Sequence, residues 1–166
     1  MTYTIKKGNH YANIWFGITF KKKISYECTL TDSCLYTIDG VDSYDINKLI
    51  GFSTTLNHHN QSARIGWRCR DGKTFEILTY TYANGKRDTV DAILGVVLPN
   101  EPFRVSIEDM ETRYIYSFKL YDMLSTAVKK KQPDKVWFKW LLRFYFGGTT
   151  PAPHTMTATV MKIDQL

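Results

Sequence analysis

The sequence lacks any long apolar run. None of its stretches approaches the roughly 20 apolar residues that a membrane span requires. Residues 1–15 are interrupted by the polar stretch 6–10, so they do not have the apolar segment of a secretory signal peptide. We therefore predict no membrane contact and no signal peptide, and we expect a cytoplasmic protein or one assembled into a particle such as a virion.

Cysteine is scarce and shows no metal-binding pattern. Cys28, Cys34 and Cys69 form an odd set without a CxxC pair, whereas zinc signatures need paired spacing. No carboxylate cluster has the spacing of a calcium loop either. We expect free, mostly buried thiols, no metal site and no cofactor.

The composition is ordinary except for its aromatic residues. Hydrophobic residues make up 43% and charged residues 23% of the 166 residues, which excludes a disordered chain and a coiled coil. Aromatic residues make up 14%, and they favour strands because flat side chains fit a pleated, half-buried surface. The composition therefore predicts an all-β protein.

The charge balance suggests an anionic partner. The formal charge of +6 fits an acidic polysaccharide, an acidic protein surface or a nucleic acid. Nucleic acid is the weakest of these, because the basic runs lack the interleaved aromatic residues of single-strand platforms. We expect those runs, Lys21–Lys23 and Lys129–Lys131, to mark solvated turns or edge strands.

Short alternating segments separated by turn residues indicate one β-sandwich domain over residues 1–166. The segment Tyr121–Lys131 has weak helical spacing and fits either a helix or a loop with a basic tip. The predicted strands are Trp15–Phe20, Ile24–Leu30, Leu35–Ile38, Lys48–Ser53, Ser62–Cys69, Phe75–Tyr82, Ile93–Leu98, Phe103–Glu108, Arg113–Leu120, Val136–Phe146 and Thr155–Ile163.

The predicted strands Ser62–Cys69 and Phe75–Tyr82 form a hairpin with a distinctive outer face. Alternation puts Ile65 and Trp67 on the core side and Arg64 on the other. With a three-residue loop at 70–72, the residues predicted to be buried on the two strands lie on the same face of the sheet. This register would place Ser62 near Tyr80 and Arg64 near Leu78. The outer face then carries Ser62, Arg64, Arg68, Glu76, Tyr80 and Tyr82.

That face fits two interpretations. Aromatic rings can lie against the apolar faces of sugar rings while guanidinium groups bind carboxylates, so the face suits an acidic glycan. It also fits a solvated sheet surface in which Arg68 and Glu76 form a cross-strand ion pair, worth about 0.2–1 kcal/mol.

Four short segments form a pattern along the chain: Asn47–Phe52, Ser62–Arg68, Tyr80–Tyr82 and Phe144–Gly148 with Pro151–His154. In this order they resemble the alginate lyases of polysaccharide lyase family 14, which have a concanavalin-like β-jelly roll. The resemblance covers roughly residues 47–160. A fuller string that includes Asn57–Asn60 is similar to proteins of gut Bacteroidetes and their tailed phages.

The resemblance implies roles for particular residues in a lyase. A uronate lyase neutralises the carboxylate beside C5, removes the C5 proton and protonates the departing oxygen. By similarity, Lys48 and Arg64 would neutralise the charge, Ser62 would position the sugar, and Tyr80 or Tyr82 would transfer protons. The residues expected to bind substrate are His58, His59, Arg68 and Glu76, and either histidine could serve as a base for an epimeric sugar.

Two classes of function therefore remain open. The first is contact with an acidic, uronate-containing polysaccharide, by binding or by β-elimination. The second is a structural role as a virion decoration or accessory subunit, in which the same face contacts neighbouring subunits. The short loops of a domain this size predict a shallow groove, which favours binding or assembly over catalysis.

Overall fold

The computed structural model describes residues 1–12 and 17–166. Strands dominate this part of the chain, and its helices are short 3₁₀ turns at Asp32–Cys34 and Val41–Tyr44. The strands are β1 (Thr2–Ile5), β2 (Ile18–Thr19), β3 (Lys23–Leu30), β4 (Asn47–Ser53), β5 (Ser62–Arg68), β6 (Phe75–Ala83), β7 (Lys86–Arg87), β8 (Ile93–Val97), β9 (Phe103–Met110), β10 (Arg113–Leu120), β11 (Met123–Lys130), β12 (Lys139–Leu142) and β13 (Met156–Lys162).

The described strands form two antiparallel sheets. One sheet has the order β1-β13-β3-β9-β10-β11, and the other has the order β2-β12-β4-β5-β6-β7 with β8 also paired to β6. Neighbouring strands are often distant in sequence, so the chain passes repeatedly between the two sheets. The fold is a jelly-roll β-sandwich, which confirms the predicted fold class.

Alternation along the strands creates the core between the sheets. Ile65 and Trp67 of β5 are fully buried, as predicted. The Trp67 ring stacks on Phe144 at a centroid distance of 5.7 Å and meets Phe75 edge to face. The three cysteines are free and buried, which confirms that prediction as well.

The hairpin β5–β6 keeps the predicted faces but has a different register. Arg64 lies opposite Tyr80, not Leu78, and Ser62 lies opposite Tyr82, not Tyr80. The connecting loop is longer than three residues because the carboxylate of Asp71 accepts hydrogen bonds from the backbone of Lys73 and Thr74 and so closes a wider turn. A shift of two residues preserves the alternation, and the buried face is therefore unchanged.

The segment predicted as a helix or a basic loop is a strand. β11 pairs with β10 along its whole length, and the two strands are joined by a tight turn in which Tyr121 has a positive φ of 52°. The apolar residues at helical spacing, Leu124 and Val128 among them, are exposed on an edge strand. Pairing with β10 satisfies the backbone groups on one side of β11, and those on its free edge face outward.

Other strand predictions need smaller corrections. Leu35–Ile38 is not a strand but follows a 3₁₀ turn, and Val136–Phe146 shortens to β12. Trp15 and Phe16 of the predicted strand Trp15–Phe20 lie outside the described residues. Strands β1 and β7 were not expected from the sequence.

The two lysine runs differ in their surroundings. Lys21–Lys23 is exposed, as predicted. The second run begins on the edge strand β11, one of the two predicted settings, but Lys129 and Lys131 are not solvated: Lys129 pairs with Asp88 at 3.1 Å, and the side chain of Lys131 is only 1% exposed. Alternation along β11 explains the difference, because it turns both residues away from the outer face.

In the described part of the chain, no helix has the length and apolar character needed to cross a membrane. The same residues contain no cluster of three or more histidine, cysteine, aspartate or glutamate side chains suited to a metal ion.

Candidate functional site

A groove of about 1070 Å³ lies over the outer face of the second sheet. Gly51 on β4, Arg64 on β5 and Tyr80 on β6 are paired across the strands, so they lie in one row beneath it. The described residues that line the groove are Thr4, Lys6, Asn9, Tyr11, Ala12, Lys48, His58, His59, Arg64, Tyr80, Leu141, Leu142, Arg143, Phe144, Tyr145 and Gly148.

Arg64 forms the floor of the groove. Its guanidinium donates a hydrogen bond to the backbone carbonyl of Arg143, and the residue is only 6% exposed. Burial lowers the pKa of Arg64 to about 10, which still leaves the side chain charged at neutral pH. Gly51 makes room for it, because a Cβ at that position would lie 2.7 Å from the Arg64 Cγ and 2.2 Å from the Ala63 carbonyl oxygen.

Lys48 lies beside Arg64 and between two tyrosine rings. Its Nζ is 4.5 Å from the centre of the Tyr80 ring and 5.3 Å from that of Tyr145. The backbones of Lys48 and Tyr145 exchange hydrogen bonds of 2.8 Å, which fixes the second ring at the groove. Burial, followed by the charge of Arg64, lowers the pKa of Lys48 to about 8.

Tyr80 is held between basic side chains. The guanidinium carbon of Arg87 lies 3.8 Å from the centre of its ring, and Arg87 is itself paired with Asp91 at 2.5 Å. Burial raises the pKa of Tyr80, and burial also raises the pKa of Tyr145. Both phenols therefore stay protonated at neutral pH and can donate hydrogen bonds to a ligand.

The loop 54–61, between β4 and β5, brings both histidines to the groove. The His59 ring stacks on Tyr82 at 4.8 Å, and the His58 and His59 rings are 4.2 Å apart. Burial and the neighbouring His59 lower the pKa of His58 to about 4, so His58 is neutral at physiological pH. At the base of the loop, the Ser53 hydroxyl lies within hydrogen-bond distance of the Thr55 and Gln61 carbonyl oxygens.

The structure separates the sequence-predicted site residues into two groups. Lys48, Arg64, Tyr80, His58 and His59 line the groove together.

The other predicted site residues do not line it. Ser62 is 0% exposed, and its hydroxyl has no hydrogen-bond partner among the described residues. Tyr82 lies beneath His59, and Arg68 and Glu76 pair with each other at 2.5 Å. Arg68 is four positions after Arg64, which amounts to about 13 Å along a strand.

Sequence reasoning missed several lining residues. Tyr145 stands between Phe144 and Phe146, which are both buried, so alternation alone could have assigned Tyr145 to the opposite face. Arg143 shares that face by the same argument. Lys6, Asn9 and Tyr11 come from the N-terminal segment, and no local pattern indicates that it would reach the groove.

The groove has a strongly cationic lining. Lys6, Lys48, Arg64 and Arg143 contribute positive charge, and none of the described lining residues is an aspartate or glutamate. Aromatic rings from Tyr11, Tyr80 and Tyr145 stand among the cations, and Tyr11 meets Tyr145 edge to face at 5.3 Å.

Solved structures share the fold of this chain. An alginate lyase from Klebsiella pneumoniae superposes with a TM-score of 0.62 at 8% identity, over 83% of this chain and 56% of that protein. This chain therefore spans little more than half the length of that lyase. A functionally unknown protein from Saccharomyces cerevisiae superposes with a TM-score of 0.56 at 9% identity, over 98% of this chain and 87% of that protein.

Carbohydrate-binding module CBM66 from Bacillus subtilis is a weaker match, with a TM-score of 0.42 at 10% identity over 93% of this chain and 80% of the module. No protein-family model and no curated protein matches the sequence. At such low identities, the similarity to the lyase and the yeast protein shows the jelly-roll fold alone.

Proposed function

We propose that the groove binds an acidic polysaccharide that contains uronate units. The observation that carries this proposal is the composition of the lining: four cationic side chains and three tyrosines, without a carboxylate among the described lining residues. The similarity in fold to an alginate lyase is consistent with this choice of ligand.

The chemistry of a uronate matches this lining. Its carboxylate needs cationic donors, and Lys48 and Arg143 stand at the groove surface while Arg64 supplies buried positive charge beneath them. A pyranose ring presents C–H groups on its apolar faces, and these pack against the electron-rich faces of aromatic rings such as Tyr80 and Tyr145.

The same side chains include the types that cleavage by β-elimination needs. Arg64 would offset the carboxylate charge, and Lys48, with a pKa of about 8, is in part a neutral base at pH 7–8. Tyr80 or Tyr145 would protonate the departing oxygen, since burial keeps both phenols protonated. We assign binding as the primary function because the groove is open, and an open groove excludes little water from the reacting atoms.

The test is a panel of alginate, polyguluronate, polymannuronate, glucuronan and neutral glucans, with binding followed by calorimetry and cleavage by the ultraviolet absorbance of unsaturated uronate. We expect salt-sensitive binding to at least one acidic polymer and none to neutral glucans. Lys48→Met should weaken that binding about tenfold, the value of one charged contact. Lys73→Met removes an exposed charge far from the groove and should have no effect.

The panel also distinguishes the other functions. An absorbance increase that Arg64→Ala abolishes would establish β-elimination. Equal binding of neutral and acidic glucans would contradict the assigned ligand class. The absence of both binding and cleavage would overturn the proposal and favour a structural subunit of a particle.

A further inference from the structure

Exposed aromatic side chains lie on β12 and in the residues that directly adjoin β2 and β12, outside the groove. Phe20 is 68% exposed, Phe138 is 37% exposed, and Trp140 is partly exposed. We call Phe20, Phe138 and Trp140 the aromatic strip. Large exposed aromatic residues in such a group mark contact surfaces, because water contact with apolar area is unfavourable.

Strand pairing places the aromatic strip on the same face of the sheet as the groove. Leu142 lines the groove and pairs with Gly51, which in turn pairs with Arg64. Trp140 is two residues before Leu142 on β12, so its side chain points to the same side. Trp140 therefore lies next to the groove, on the same face of the sheet as Leu142.

The intervening residue confirms this orientation. Lys139 lies between Phe138 and Trp140, and its Nζ points inward to within 5.5 Å of the Phe52 ring in the core. The two aromatic neighbours of Lys139 consequently point outward. The pairing of the two strands ends at Lys139 and Thr19, and Phe138 and Phe20 are the residues that directly adjoin this last pair.

We propose that the aromatic strip is an extension of the groove that holds further sugar units of the same acidic polysaccharide, an inference that rests on the proposed function. From Leu142 to Phe138, the strip extends the groove by roughly 13 Å, four residues of a strand. Lys22, two residues after Phe20, is exposed and supplies positive charge near the strip, whereas Lys21 pairs with Asp164 at 3.9 Å.

The rings of the strip are positioned before a ligand arrives. Phe138 and Trp140 meet edge to face, with centroids 5.4 Å apart and an interplanar angle of 81°. This contact fixes the indole orientation, so that less side-chain freedom is lost when a sugar ring stacks on it. The strip should therefore add affinity for long chains without affecting the contacts of a short one.

The experiment measures dissociation constants for alginate and glucuronan oligosaccharides of graded length. We expect the parent protein to bind long oligosaccharides about tenfold more tightly than short ones. Phe20→Ala and Trp140→Ala should remove most of that gain and leave the affinity for short oligosaccharides unchanged. Phe20 is mostly exposed, so its variant tests the strip even if Trp140→Ala disturbs the sheet.

Trp137→Ala is the matched control, because Trp137 is 85% exposed and precedes the strip. Its affinity should equal that of the parent for every length. Binding that does not depend on length, or an equal loss for short and long chains in the strip variants, would overturn the inference while the proposed function stands. The inference would also be overturned if the parent protein is a dimer and Phe20→Ala is a monomer, because the strip would then be a self-association surface. If the parent binds no oligosaccharide, both proposals are wrong.

Discussion

Lys48 is the residue whose ionisation should govern ligand binding. Its pKa of about 8 means that the side chain is charged at pH 6–7 and largely neutral at pH 9. Over the same range His58, with a pKa of about 4, is neutral throughout, and Arg64, with a pKa of about 10, stays mostly charged.

We therefore predict that affinity for an acidic polysaccharide falls several-fold as the pH rises from 7 to 9, through the Lys48 pKa of about 8. The sign follows because an anionic ligand favours the protonated form of Lys48. Calorimetric titration at constant ionic strength would measure the change, and Lys48→Met should show a flat profile over this range. A parent profile that is equally flat would contradict the role of Lys48.

Trp67 should matter for stability, whereas Tyr82 should not. Trp67 is 0% exposed and is packed among Phe144, Phe75 and Tyr36. Replacing Trp67 with alanine should lower the free energy of unfolding by about 3–5 kcal/mol, the usual cost of removing a large aromatic side chain from a core. Tyr82→Phe should change it little, and similar losses in urea denaturation would argue against the assigned faces.

At the scale of elements, the close approach of β4 and β5 depends on Gly51. A Cβ there would lie 2.2 Å from the Ala63 carbonyl oxygen, which is backbone and cannot move away without disturbing the pairing. We predict that Gly51→Ala destabilises the protein by about 1–3 kcal/mol and also weakens glycan binding, since Arg64 would be displaced. Thermal unfolding and calorimetry measure the two effects. If Gly51→Ala has the same stability and affinity as the parent, the close contact between β4 and β5 at this position is ruled out.

The sequence predicted the faces of β5 and β6 but not their register. Alternation determines which side chains are buried, and it is unchanged when the register shifts by two residues. The register depends on the loop, where hydrogen bonds from the backbone of Lys73 and Thr74 to the Asp71 carboxylate widen the turn. The number of residues in the loop does not predict this turn, because the turn depends on the geometry of the Asp71 side chain.

The groove was only partly predictable for a related reason. Lys48, Arg64 and Tyr80 lie on neighbouring strands, so local alternation and a family resemblance were enough to group them. Tyr11 reaches the groove from the N-terminal segment through a bridge to Tyr145, a contact between residues far apart in sequence. Contacts of this kind follow from the order of strands in the sheets, which local patterns do not specify.

On the scale of the whole molecule, a buried charge network joins elements that are distant in sequence. Asp109 forms ion pairs with Lys131 at 2.7 Å and with Lys139 at 3.2 Å. Lys131 also forms an ion pair with Asp134 at 2.6 Å. Gln61 donates a hydrogen bond to Asp134, so the network also holds the loop that carries the groove histidines.

We predict that Asp109→Ala costs about 3–5 kcal/mol of stability, because it leaves the buried charge of Lys139 without its carboxylate. The quadruple variant Asp109→Leu, Lys131→Met, Lys139→Met, Asp134→Asn removes all four charges of the network together and should recover much of that loss. Urea denaturation of the three proteins gives the comparison. If Asp109→Ala is as stable as the parent, the network does not contribute to stability as described.

The central claim is that the cationic groove beside Lys48 holds an acidic sugar chain. A crystal structure of the protein with a bound uronate oligosaccharide tests this most directly. We predict a carboxylate within hydrogen-bond distance of Lys48 or Arg143 and a pyranose ring packed against Tyr80 or Tyr145. A well-ordered oligosaccharide bound elsewhere on the molecule, with the groove empty, would contradict the claim.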